Sequence, residues 1–404
     1  MKTIVREFYL EWMNRWKNKQ IIKVISGVRR CGKSTMFEIF RTKLISEGVL
    51  PEQIITINFE SIDFEDLTNY KQLYKYITEH LHADKMNYIM LDEIQHVEHY
   101  EKVADSLFIK DNCDVYITGS NAYFMSGELA TLLSGRYVEL KMLPLSFFEF
   151  NNALQDAGLS ISQMFNRYIT YSSFPYVLKF DLDQKSSNEY LHDIYHTILL
   201  KDIVARLRVQ DVSTLENITK FMFHNIGNLV SSNKIANTLK SQGTKIDAKT
   251  VEKYIRGLCD SLILYEATRY NIKGKQFLMQ QSKYYCVDIG MRNMLVRGKE
   301  SDIGQILENI VYLELLRRGY QVYVGTLPQG EVDFVAMRQD TVEYYQVSAT
   351  TLDEHTLERE LKPLRMIHDN YPKYLLTLDE VFKEMNYDGI LKRNVIDWLL
   401  ENAG

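Results

Sequence analysis

Gly27-Val28-Arg29-Arg30-Cys31-Gly32-Lys33-Ser34-Thr35 is a complete Gly-x4-Gly-Lys-Ser/Thr phosphate-binding loop. The apolar run at 21–26 reads as a buried strand feeding into it, and Met36-Phe37-Glu38-Ile39-Phe40 as the start of a helix. That strand–loop–helix order is the context the pattern needs. Backbone N–H groups of such a loop wrap a polyphosphate, and the helix N-terminus adds favourable partial charge. Gly27, Arg29, Arg30, Cys31, Gly32, Lys33, Ser34 and Thr35 are therefore the expected nucleotide contacts, with Lys33 on the β- and γ-phosphates and Ser34 on Mg²⁺. Together these features predict an α/β fold with a parallel sheet.

Working outward, Met86-Asn87-Tyr88-Ile89-Met90-Leu91-Asp92-Glu93 is an apolar strand ending in two carboxylates. Asp92 is expected beside the metal and Glu93 to act as the general base on the attacking water. The chain between loop and carboxylates leaves room for one more strand near 53–59, the order of the glutamate-bearing P-loop ATPases. Further on, Asp114-Val115-Tyr116-Ile117-Thr118-Gly119-Ser120-Asn121 reads as a strand ending in small polar groups.

These motifs resemble those of prokaryotic AAA-type ATPases in which a P-loop domain precedes a winged helix and a restriction-endonuclease-like C-terminal domain. The resemblance rests on the loop, Leu-Asp-Glu-Ile-Gln at 91–95, Thr-Gly-Ser-Asn-Ala at 118–122, Leu-Ser-Gly-Arg-Tyr at 133–137 and Gly-Glu-Val-Asp-Phe at 330–334. It implies a polar sensor at Ser120 and Asn121, with the Asn121 amide orienting the attacking water. Arg136 is the candidate for stabilising transition-state charge, in cis or from a neighbouring subunit of an oligomer. Arg29 is an alternative brace against Asp92 or Glu93. ATP is the expected nucleotide, because no guanine-reading Asn-Lys-x-Asp motif occurs.

Composition sets the outer limits. A chain of 404 residues suggests two or three domains. The expected division is 1–150 for the ATPase domain, 151–290 for a helical lid and winged helix, and 291–404 for the endonuclease-like part. With 46% hydrophobic and 25% charged residues the chain reads as an ordinary globular protein. The net charge of −5 argues against a generic polyanion binder. Four scattered cysteines suggest neither a zinc site nor a disulfide framework and fit a reducing cytosol. Cys31 in the loop is a small filler that could confer alkylation sensitivity. A cytoplasmic location is expected, since no apolar run reaches a membrane span.

Residues 213–270 follow the order of a helix-turn-helix with a wing. A helix at 215–229 precedes capped helices beginning near Ser231 and Asp247, and a hairpin turns at 271–275. Between 231 and 275 there are nine Lys/Arg against four Asp/Glu, opposite in sign to the whole chain. Lys249, Lys253 and Arg256 on the second helix, with Lys273 and Lys275 in the wing, suit DNA phosphates.

In the C-terminal part the resemblance aligns Glu308 and Asp333 with acidic nuclease positions, while Gln346 takes a glutamate's place and Ser348 a lysine's. Those exchanges remove metal charge and the activator of water, so a degenerate site is expected. Two readings follow: an Mg²⁺-dependent ATPase coupled to DNA or nucleoprotein, and a STAND-like nucleotide switch acting on a protein partner. An ATP-gated nuclease is disfavoured by Gln346 and Ser348.

Overall fold

The computed structural model describes residues 4–122, 133, 135–180, 183–296 and 302–401, so Ser134 of the 133–137 motif lies outside them. The chain forms two compact units, Met1–Pro144 with Asp260–Leu262, and Leu145–Cys259 with Ile263–Gly404.

The first unit is a five-stranded parallel sheet in the order β2-β3-β4-β1-β5. Its strands are β1 (Ile22–Gly27), β2 (Ile54–Asn58), β3 (Asn87–Asp92), β4 (Cys113–Gly119) and β5 (Tyr137–Met142). β1, β3 and β4 are buried along their whole length, which explains why they read as continuous apolar runs rather than alternating ones. Helices α1 (Glu7–Trp16), α2 (Lys33–Ser46), α3 (Tyr70–Glu79) and α4 (Tyr100–Phe108) accompany the sheet. The strand expected near 53–59 forms as β2, but at the sheet edge beyond β3; it is β4, from later in the chain, that lies between the loop strand and the carboxylate strand.

Two glycines in the loop have different reasons to be there. Gly32 sits at φ 107° and caps α2, a left-handed conformation that disfavours a side chain. At Gly27, a Cβ would come within 2.4 Å of the Met142 carbonyl oxygen, so close packing on β5 excludes one. From Gly32 onward α2 winds with Met36, Phe37, Phe40 and Leu44 buried.

The second unit begins with helices. Helix Val212–His224, the short β6 (Leu229–Val230) and helices Ser232–Ser241 and Ala248–Asp260 lead to the hairpin β7 (Leu264–Asn271) and β8 (Gln276–Cys286). Ser231 and Asp247 accept N-terminal backbone hydrogen bonds, as their capping positions predict.

The expected boundary at 290/291 is not a boundary. The wing is part of a nine-stranded sheet, order β13-β14-β12-β11-β10-β9-β7-β8-β6, with β7 running parallel to β9. β9 is Gln321–Leu327, β10 Gly330–Arg338, β11 Thr341–Ser348, β12 Lys373–Thr377, β13 Met385–Tyr387 and β14 Ile390–Asn394. Backbone pairing joins the two expected domains because the wing offers an edge that β9 can extend.

Candidate nucleotide-binding site

The loop motif, the carboxylate strand and the polar end of β4 meet at the C-terminal edge of the first sheet. The Lys33 ammonium is almost fully buried. It donates to the carbonyl oxygen of Gly27 (2.9 Å) and the hydroxyl of Ser120 (2.8 Å), and lies 3.2 Å from Glu93 Oε1. Ser120 donates in turn to the same Glu93 oxygen, and Gln95 donates to the other. Ser34 and Thr35 are exposed at the start of α2. Asp92 accepts hydrogen bonds from Ser34 and Thr118. Thr118 also accepts the backbone N–H of Glu93 (2.9 Å), so one hydroxyl fixes both acidic positions.

The two carboxylates titrate in opposite directions. Burial acts to raise both. At Glu93 it is outweighed by Lys33, by hydrogen bonds from Ser120 and Gln95, and by Arg29, which hold the acid at about 2. At Asp92 burial prevails over the hydrogen bonds and the acid is raised. Glu93 adopts φ 56°, ψ 46°, a left-handed backbone rare for a side chain of this kind, in the turn that follows β3. Beside these groups lies a cleft of about 540 Å³ lined by Ser34, Thr35, Glu38, Thr56, Asn58 and Asp92 among others.

Other expected residues fall elsewhere. Arg29 reaches Glu60 (2.9 Å), and its charge also helps to hold down the Glu93 acid. Arg30 is exposed at φ 66°. Asn121 is half-buried beyond β4, while Ser120 makes the bridge between Lys33 and Glu93. Cys31 is fully buried, and burial raises its thiol pKa, so the expected alkylation sensitivity does not fit. Arg136 does not fit a role in cis. It precedes β5, whose first residue pairs with Ile22 at the start of β1, so it stands at the opposite edge of the sheet from the loop. There it pairs with Asp105 and covers the Phe108 ring.

In the second unit, Lys249, Lys253 and Arg256 are exposed on one face of their helix, opposite the buried Val251, Tyr254, Ile255 and Leu258. Lys253 also donates to the Leu207 carbonyl (3.0 Å), so part of its role is to cap a neighbouring helix. Lys273 and Lys275 are exposed in the wing turn.

The acidic pair Glu308 and Asp333 does come together, around a cation that sequence reasoning missed. Lys283 on β8 extends its ammonium to Glu331 (2.6 Å), Glu308 (3.0 Å) and Asp333 (3.9 Å). Tyr285 donates to Glu308 (2.6 Å), and Asp333 accepts the N–H of Val347 (2.9 Å). Gln346 accepts from the N–H of Asp333 and donates to Glu360. Ser348 donates to the Thr350 carbonyl and takes no lysine-like place. Burial and the neighbouring Glu308 push the Asp333 acid well above its ordinary range despite Lys283. No local pattern could have announced Lys283, which lies on the wing hairpin 50 residues before Asp333.

Comparison with known proteins agrees with the first unit. A family model described as an AAA domain matches residues 19–151, and a domain of unknown function matches residues 162–302. An uncharacterized protein of Haemophilus influenzae is 39% identical over 401 residues, covering 98% of this chain and 99% of its own. One from Methanocaldococcus jannaschii is 29% identical over 391 residues, covering 91% and 84%. Among solved structures, the Walker-type ATPase of Pyrococcus abyssi is similar at TM-score 0.48 and 14% identity, over 72% of this chain and 95% of that one. No helix among the described residues is long and apolar enough to cross a membrane. With the phosphate loop, the carboxylate strand and the 2-3-4-1-5 sheet in place, residues 19–151 form an AAA domain of the P-loop kind, and the chain as a whole belongs to one family with its Haemophilus relative.

Proposed function

We propose that this protein binds ATP with Mg²⁺, hydrolyses it, and couples the nucleotide state to DNA or nucleoprotein. The observation that carries the hydrolytic half is the convergence of Lys33, Ser120 and Glu93 on one buried point beside Ser34 and Asp92. A hydroxyl and a carboxylate are the hard oxygen donors Mg²⁺ prefers, so Ser34 and Asp92 fit it and would hold it. When bound, the ion supplies charge neutralisation for the phosphates. Lys33 is drawn from its contacts with Gly27, Ser120 and Glu93 to the phosphates. Glu93, ionised at neutral pH, then accepts the proton of the attacking water, with Ser120 holding its carboxylate in place.

The DNA half of the reading rests on Lys249, Arg256, Lys273 and Lys275, all exposed, with Lys253 contributing less because it caps a helix. Such a set neutralises phosphates and makes binding steeply salt-dependent. The test is ATP turnover by the full chain and by Glu93→Gln, with and without duplex and single-stranded DNA, at two salt concentrations. DNA stimulation that Glu93→Gln abolishes is expected. Glu93-dependent turnover indifferent to DNA would replace this reading with the protein-partner switch. Absence of turnover would overturn the hydrolytic assignment.

A further inference from the structure

Arg6 lies immediately before α1, outside every motif, yet its guanidinium is buried. It donates to three backbone carbonyls: Cys31 in the phosphate loop (3.2 Å), Leu143 (2.8 Å) and Pro144 (3.1 Å). Its plane lies over the Tyr9 ring, 4.4 Å from the centroid, and the Tyr9 hydroxyl accepts the N–H of Leu143 (3.2 Å). The start of α1 thus grips Leu143 by both backbone groups while holding the loop through Cys31. Leu143 and Pro144 are the last residues of the first unit before the chain passes into the second.

Peptide planarity gives this contact a consequence. In a trans peptide the carbonyl and the following N–H point in opposite directions. Fixing the Cys31 oxygen towards Arg6 therefore turns the Gly32 N–H away from it, into the loop where an anion would be wrapped. A guanidinium suits the task because its rigid fork of five donors satisfies several carbonyls at once and stays charged when buried.

The geometry points to Arg6 as the positioning residue of the phosphate loop and the strap that ties loop occupancy to the Leu143–Pro144 exit. This inference rests on the nucleotide-binding reading above, but part of its test does not. In Arg6→Gln, alkylation of Cys31, followed peptide by peptide without nucleotide, is expected to accelerate at least tenfold, with Cys113 and Cys286 still protected. Affinity for a fluorescent ATP analogue is expected to fall about tenfold. ATP is expected to slow amide exchange at Leu143 in the parent protein but not in Arg6→Gln. Unchanged Cys31 labelling, or an ATP effect on Leu143 that survives the substitution, would overturn the proposal. If all buried cysteines open together in Arg6→Gln, Arg6→Lys decides: partial opening confined to Cys31 supports the strap, and protection equal to the parent removes it. A parent protein that binds no ATP analogue would sink the nucleotide reading alone, since the Cys31 arm still reports on the loop.

Discussion

Each unit contains a lysine among carboxylates, and the two clusters are built for different ends. Lys33 is held by a loop carbonyl, a hydroxyl and Glu93, beside a cleft bordered by Ser34 and Asp92. In the proposed function those contacts would be exchanged for phosphate oxygens while the sheet stays paired. Lys283 rises from a sheet strand between Glu308, Glu331 and Asp333; Tyr285 donates to the same Glu308 oxygen, and the Val347 N–H takes the other oxygen of Asp333. Its removal leaves acids with no substitute cation. The same charges are thus proposed to make an exchangeable site in one place and a structural bolt in the other, because one lysine starts a helix beside an open cleft and the other belongs to a paired strand.

The largest expected effect breaks the first cluster. Glu93→Gln should lower turnover by about 10²- to 10⁴-fold while ATP binding persists, as read by phosphate release and analogue binding. Retained turnover would mean that another group takes the proton. The bolt is probed by Lys283→Met, which should cost about 3–5 kcal/mol, the usual result of leaving buried acids unpaired. Urea unfolding measures it, and an unchanged midpoint would erase the contrast between the clusters.

pH sharpens the contrast, because the signs are opposite. The Glu93 acid is depressed to about 2, so its contribution is complete above its ordinary 4.5 and fades only as pH falls towards 2. Asp333 is raised, so its preference for the folded state is complete below its ordinary 3.8 and is lost as pH rises through the raised value. The Lys283→Met defect should therefore shrink between pH 8 and pH 5, as melting temperatures would register. A defect that grows on acidification would contradict the reading of Asp333. The smallest effect calibrates the others: Arg136→Gln breaks a half-buried pair that solvent still reaches and should cost no more than about 1 kcal/mol. It should also leave single-site ATP affinity unchanged. A drop in turnover that appears only as protein concentration rises would instead mark Arg136 as acting on a neighbouring subunit.

Much of the first cluster was legible because its residues sit in short motifs whose spacing is set by one turn of backbone. The loop, Asp92 and Glu93 follow from local strand order, and the strand near 53–59, the edge strand β2, from length alone. Ser120 was within the quoted strand end, but its partnership with Lys33, and the double duty of Thr118, needed β4 to lie between β1 and β3. The acid pocket was half legible: Glu308, Asp333 and Gln346 converge, while the cation arrives on a hairpin assigned to another domain.

By itself the sequence determined the phosphate loop, the carboxylate strand and the capped helices that begin after Ser231 and Asp247, all properties of residues close along the chain. Tertiary structure alone decided that Arg136 pairs at the far edge of the sheet, that the wing and the C-terminal strands share one sheet, that Lys283 fills the acid pocket and that Arg6 grips the loop. Those four depend on contacts between segments from 25 to more than 130 residues apart, where backbone pairing and the burial of charge, rather than local pattern, select the partners.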